Sequence, residues 1–498
     1  MLNVLLTIGF LQVLTMAVNL VRTKALALLL GPGWIGVMAV VDKLLAVLAQ
    51  TASLSMPFAA VRFLPGLWSR DPGGFTRLIW RMRNLLILTV LAATVLGLVV
   101  TLEFPGAWGT DLLPYRSIVF IAFLSLPVVA FVPFLQNAIA SRLQHNYSML
   151  FVLAHAVVFT LAGVLGAWWN GLVGLYGLYA VLGLLVVIPV MRTVRRIPDG
   201  TSLPVSAGDG FSIGLPREIW KFSLALFGLT FVTPFAAVYV HYQVLRYFGL
   251  KPAGWMQAAM GIGFSLRTLL GSASAVFLTP NVNRGGSPEE RMCLVVEYYN
   301  TLGILCALVG LPLLLFPHQV LRILYSLEFL AAVPFVAWFV VGEVLGLLAG
   351  TLQSLVVAFD HIAFHVIQNV TAQALLLTVA FLLIEDYGIL GAGVATMSAP
   401  LLLYVSTALF LRRKCALTLP LRSWCLGVFL IGSLALGGII GVKFPEMSLG
   451  VLAGKCSLYG TFLVGLWVIL GPLDRAKLWT FGRNVRRYLS PSHEGLRF

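Results

Sequence analysis

Runs of about twenty apolar residues follow one another along almost the whole chain, separated by short loops. No other property narrows the fold as far. At 1.5 Å rise per residue, a helix of that length crosses the roughly 30 Å hydrocarbon core of a bilayer. Fourteen such runs lie near residues 4–30, 35–61, 84–102, 117–140, 147–168, 171–191, 219–247, 255–279, 293–316, 332–358, 363–384, 388–411, 424–442 and 448–472. Within hydrocarbon each backbone N–H and C=O must be satisfied inside its own segment, so the expected class is all-α. A chain with 60% hydrophobic residues, 10% charged residues and a mean hydropathy of +0.97 lies far outside the soluble globular range. The expectation is a polytopic membrane protein of about fourteen transmembrane helices.

The net charge of +15 would suggest nucleic acid in a soluble protein, but position matters more than the total. Most Lys and Arg residues fall in alternate loops (62–83, 142, 192–221, 284–291, 412–422) and beyond residue 474. That asymmetry marks one face as cytoplasmic, and an even number of spans puts both termini there. A nucleic-acid partner is therefore not expected, and the N-terminus carries no cleavable-signal pattern. The loops are too short for a folded extramembrane domain, and no Gly-rich phosphate loop, HExxH or nucleophile elbow occurs. An enzyme is not expected. The five cysteines are scattered and make neither a disulfide framework nor a metal cluster, so no cofactor or metal is anticipated.

The least apolar stretch, 197–216, is rich in Gly, Pro and Ser and reads as a cytoplasmic linker loop. It divides an N-terminal six-helix bundle (1–196) from a C-terminal one (217–411), followed by accessory helices 13 and 14 (412–472) and a tail (473–498). An internal repeat supports this division. Residues 34–53 align without gaps on 255–274, pairing Trp34 with Trp255, Leu45 with Leu266 and Leu48 with Leu269. Phe104-Pro105 is echoed by Phe316-Pro317, Leu135-Gln136 by Leu352-Gln353, and His145 by His361. Repeats of this kind build transporters whose substrate site lies between two halves that rock against each other. The tail alternates Leu478, Trp479, Phe481, Val485 and Tyr488 with Lys477, Arg483, Arg486 and Arg487, a pattern for a basic amphipathic helix on anionic headgroups.

Charges lie deep within several spans, where an ionisable residue faces a partner or a wet cavity. Arg22 and Lys24 sit on the first span, and Asp42 and Lys43 on the second, across a tight Gly31-Pro32-Gly33 turn. Lys43 is eight residues past Ile35, roughly 12 Å into the core and too deep for snorkelling alone. Arg267, one helical turn beyond the position aligned with Lys43, falls near mid-bilayer on the eighth span. Two readings stand side by side. Arg22, Lys24, Lys43 and Arg267 form a cationic cavity for an anionic group, or they form ion pairs, Asp42 with Arg22 or Lys24 and Arg267 with Glu343. His155 and His241, isolated on apolar helices, read as packed or hydrogen-bonded.

The stretch Arg22-Thr-Lys-Ala-Leu-Ala-Leu-Leu-Leu-Gly-Pro-Gly-Trp-Ile-Gly36, with the long helix after it, resembles the opening of the O-antigen and exopolysaccharide flippases of the multidrug/oligosaccharidyl-lipid/polysaccharide (MOP) exporter superfamily. The resemblance implies two six-helix bundles around a central cavity, lined by cations on the first, second and eighth helices. Arg22, Lys24, Lys43 and Arg267 occupy those helices. It further implies a multi-pass protein of the bacterial inner membrane that carries undecaprenyl-pyrophosphate-linked oligosaccharide by alternating access. The implied partners are that polyprenyl-linked glycan, membrane lipids, and glycan polymerase or other polysaccharide-assembly proteins. A MATE-like drug or cation antiporter of the same fold is the alternative, with Asp42 or Glu343 as the coupling carboxylate.

Overall fold

The computed structural model describes residues 2–142, 145–193, 213–273, 278, 282, 287–415, 417–445 and 448–469, and among them the regular structure is helical without a strand. Most of the expected linker, the end of the 255–279 run and the tail at 473–498 lie outside the described residues. Eleven helical stretches among the described residues are long and apolar enough to cross a membrane. Two of these are pairs of spans: Phe10–Ala52 is broken at Gly31, and Asn146–Arg192 at Asn170 and Gly171. Counting the halves, and adding the less apolar helix Leu250–Ala273, gives the fourteen spans read from the sequence.

The breaks have local causes. Gly31 takes φ +70 and ψ 177, a left-handed conformation open to glycine, so the chain turns there instead of continuing as one rod. The second span ends at Ala52, well short of the expected residue 61, because Leu54 and Ser55 turn through positive φ and a new helix, Met56–Arg70, begins. Pro57 explains the restart. It lacks the N–H that would continue a helix but fits the first turn of one, and Asn137 Nδ2 donates to its carbonyl at 3.0 Å. The fourth span likewise divides at Ser125 into Arg116–Leu124 and Leu126–Ala140, with Pro127 in the first turn of the second piece.

The chain divides into two compact units. The first comprises Met1–Ala259, Leu321–Ala332 and Val366–Thr396; the second comprises Met260–Val320, Val333–His365 and Met397–Phe498. Within the first unit the aligned starts of the two repeats meet. Gly254, aligned with Gly33, packs so closely that a Cβ on it would collide with the Pro32 carbonyl. Small residues let membrane helices approach at backbone distance. The paired tryptophans also hold comparable places: Trp34 stands edge-on to Tyr115, at ring centroids 5.8 Å apart, while Trp255 Nε1 donates to the Glu328 carbonyl at 3.0 Å. Tyr115 and Glu328 lie in the short 3-10 turns Thr110–Tyr115 and Leu327–Ala332, each placed before the fourth span of its half.

In the second unit, helix Leu421–Lys443 packs on Pro288–Leu315 through buried Leu426, Leu430 and Leu434. The next helix, Leu449–Ile469, contains Lys455, only 2% exposed. Its ammonium donates to the Phe444 carbonyl at 2.8 Å, at the C-terminus of Leu421–Lys443 where the helix dipole is negative, and stands 5.1 Å over the Phe316 ring. A cation inside an apolar span is thereby given both an acceptor and an aromatic face.

Candidate functional site

Two groups of charged side chains sit inside spans, one in each unit. In the first unit, Arg22 on the first span lies with its Cζ 3.9 Å from the centre of the Phe159 ring. Gly163, one turn beyond Phe159, presents no side chain to the arginine stem; a Cβ there would stand 3.7 Å from Arg22 Cδ. Phe159 packs in turn on Tyr179, at 4.3 Å between ring centres, and Nε2 of His155 lies 3.0 Å from the Tyr179 hydroxyl. Among the described residues, Arg22 Nε is buried without a hydrogen-bond partner.

Asp42 takes its hydrogen bond from the Tyr176 hydroxyl, at 2.8 Å to Oδ1, and not from Arg22 or Lys24. Arg22 and Lys43 act on this carboxylate through their charges. Tyr176 and Tyr179 are three residues apart on the helix that follows Gly171, so one helical face supplies both hydroxyls. Lys24 is turned elsewhere. Its ammonium donates to the carbonyls of Arg322 (2.8 Å) and Tyr325, at the end of the short helix Pro317–Leu324. A cation there offsets the partial negative charge of the unsatisfied C-terminal carbonyls. The charge of Lys43 also reaches His241, whose Nδ1 lies 2.9 Å from the Ala237 carbonyl and whose Nε2 lies 2.9 Å from Gln257 Oε1.

In the second unit, Arg267 Nη1 donates to Glu343 Oε2 at 3.2 Å, with the two side chains 57% and 23% exposed. Gly263, one turn before Arg267, makes the pairing reachable. A Cβ on it would stand 3.1 Å from the Phe339 carbonyl and 3.2 Å from Glu343 Cγ, so the two helices touch at that level. Among the described residues the contact is a single hydrogen bond to a guanidinium that keeps more than half its surface open, which leaves donors to meet another acceptor.

The structure therefore joins Arg22, Asp42 and Lys43 in one electrostatic group, directs Lys24 onto backbone, and pairs Arg267 with Glu343. The reading of charges alone overlooked Phe159, Tyr176, Tyr179 and Tyr325. A signal for the tyrosines was available: a phenolic hydroxyl in an apolar span needs a partner, and Tyr176 and Tyr179 share one helical face.

Among solved structures, the lipid II flippase MurJ in its inward closed conformation matches this chain with a TM-score of 0.69, over 94% of this chain and 98% of its own, at 13% identity. The fold is MurJ's. An inward-facing multidrug resistance MATE family transporter of the MOP superfamily matches with a TM-score of 0.59, over 84% of this chain and 95% of its own, at 12% identity. Identities this low establish architecture and leave chemistry to the sites. No family model matches the chain. The lipid III flippases of Escherichia coli (strain K12) and Shigella flexneri are each 26% identical over 252 residues, which is 50% of this chain and 58% of either relative. The chain thus matches little more than half the length of those curated relatives.

Proposed function

We propose that this protein is a flippase for undecaprenyl-pyrophosphate-linked oligosaccharide, an O-antigen or exopolysaccharide repeat unit, in the bacterial inner membrane with both termini cytoplasmic. The observation that carries the reading is the partly buried Arg22, held over Phe159 with an unfilled donor at Nε and no direct bond to Asp42. Arg267 adds open donors in the second unit. A pyrophosphate brings about two negative charges, and moving it bare through hydrocarbon would be prohibitive. Arg22 and Lys43 in the first unit, and Arg267 in the second, each offer charge-assisted hydrogen bonds in place of its lost hydration while the polyprenyl tail stays in lipid, and Lys24 serves as scaffold on the Arg322 and Tyr325 carbonyls. Asp42 offsets the charge of Arg22 and Lys43 without binding Arg22, and Glu343 holds Arg267 by one hydrogen bond, until substrate arrives. The likeness to flippases named for lipid II and lipid III supports a lipid-linked substrate.

The protein works as a transporter by alternating access, with the division into 1–196, 197–216, 217–411, 412–472 and 473–498 as its repeat plan. Lipids surround it, and polysaccharide-assembly proteins receive its product. The test is reconstitution in liposomes with a defined polyprenyl-pyrophosphate glycan, scoring its arrival on the opposite leaflet. Equal rates with and without protein would remove the proposal. The MATE likeness favours a second reading, a drug or cation antiporter coupled through Asp42 or Glu343. Drug resistance on overexpression, with no glycolipid accumulating on gene loss, would select it.

A further inference from the structure

A recess of about 480 Å³ opens in the first unit beside the turns that end the first and fifth spans, lined by Leu30, Trp34, Tyr115, Ser117, Asn170 and Leu172 among others. Its volume falls in the roughly 300–1,000 Å³ range of small-molecule sites. None of the charged groups described above lines it, and no lining residue among the described residues carries a charge.

The lining has a specific chemistry. Trp34 is 45% exposed and meets Tyr115 edge-on, at an interplanar angle of 80°, which leaves indole surface open to the recess. Asn170 and Ser117 add an amide and a hydroxyl, and Tyr115 its phenol. The walls are fixed by backbone. A Cβ at Gly166 would collide with the Gly174 carbonyl, so the two arms of the hairpin that carries Asn170 are locked together. Gly171, at φ +56, lets the chain reverse at the hairpin tip.

An anionic headgroup would find no cation in this lining, and a bare acyl chain would leave the amide and hydroxyls without partners. A neutral pyranose fits both halves. Its C–H face lies on an aromatic ring while its hydroxyls exchange hydrogen bonds with Asn170, Ser117 and Tyr115. We propose that this recess is a sugar-binding subsite for one or two neutral rings. It rests on the flippase reading for the source of the sugar, the glycan head of the lipid-linked substrate, which it would receive at the end of the spans remote from the chain's N-terminus.

The experiment is saturation-transfer-difference NMR on the full chain in lipid nanodiscs. The probes are methyl glycosides of glucose, galactose, mannose, rhamnose, N-acetylglucosamine and N-acetylgalactosamine. Ring-proton signals from at least one glycoside are expected, weakened at least about fivefold in Trp34→Leu, as the loss of one aromatic stacking contact implies. Asn170→Ala, a change at an exposed turn, should weaken them too, and it serves as the second variant should Trp34→Leu fold poorly. No transfer to any glycoside, or equal transfer in wild type and both variants, would overturn the subsite. So would transfer confined to lipid acyl protons and lost in Trp34→Leu, which would mark a lipid pocket. Failure of the flippase reading looks different: sugar binding intact with no glycolipid translocated by the wild-type chain.

Discussion

Arg267→Ala separates a substrate cation from a structural ion pair, because the geometry sets what its loss should cost. The pair is held by one hydrogen bond at 3.2 Å, with Arg267 57% and Glu343 23% exposed. Exposed pairs contribute about 0–1 kcal/mol, whereas stranding one partner of a fully buried pair costs about 3–5 kcal/mol. The open guanidinium and the single contact place this pair near the lower figure, so Arg267→Ala should cost about 1 kcal/mol. Against a total stability of roughly 5–15 kcal/mol, such a loss leaves membrane abundance close to wild type. Glycan export should nevertheless fall to background. The assay measures abundance of the tagged protein and surface glycan in parallel, for Arg267→Ala, Glu343→Ala and the double variant. Low abundance in the single variant, restored together with export in the double, would refute the reasoning and leave Arg267 as scaffold. Arg267→Lys should keep part of the export, since charge survives while the planar fork is lost.

Tyr176→Phe removes the hydroxyl that Asp42 accepts from and keeps the ring volume, so stability should fall by about 1.5–3 kcal/mol, read as a lower melting temperature in detergent. An unchanged melting temperature would mean Asp42 finds an equal donor elsewhere. Lys24→Met deletes the cation on the Arg322 and Tyr325 carbonyls and should reduce abundance while export per folded molecule changes little; abundance unchanged with export lost would make Lys24 a substrate contact instead. Gly254→Ala drives a methyl group into the Pro32 carbonyl and should cost about 1–3 kcal/mol or more by overpacking, seen as loss of monodisperse protein in size-exclusion chromatography.

Fold class was legible because hydrocarbon leaves a chain few options: length and apolarity gave the spans and Gly31 the turn between the first two, whereas the break before Pro57 went unread and the second span was expected to run on to residue 61. The alignment of Trp34 with Trp255 pairs two indoles that each meet a 3-10 turn, although their contacts differ, a ring edge for one and a carbonyl for the other. Partner choice was not legible. Sequence shows that Arg22, Lys24 and Asp42 share a depth, and equal depth suggests ion pairing. It does not show that a carboxylate can be satisfied by a tyrosine more than a hundred residues away, or that backbone carbonyls can hold a lysine.

That difference bears on function. An Asp42 bound directly to Arg22 would fill the arginine's donors and make release of the carboxylate a condition for binding any anion. With Tyr176 holding Asp42, Arg22 keeps an unfilled donor while the nearby negative charge still offsets the cost of burying its own. The same logic applies to Arg267, which keeps open donors beside a partly buried Glu343. In both units a carboxylate neutralises a membrane cation without saturating it. Under the flippase reading proposed above, a cation that meets a pyrophosphate and then releases it needs that arrangement, since a fully satisfied arginine would not bind and an uncompensated one would not let go.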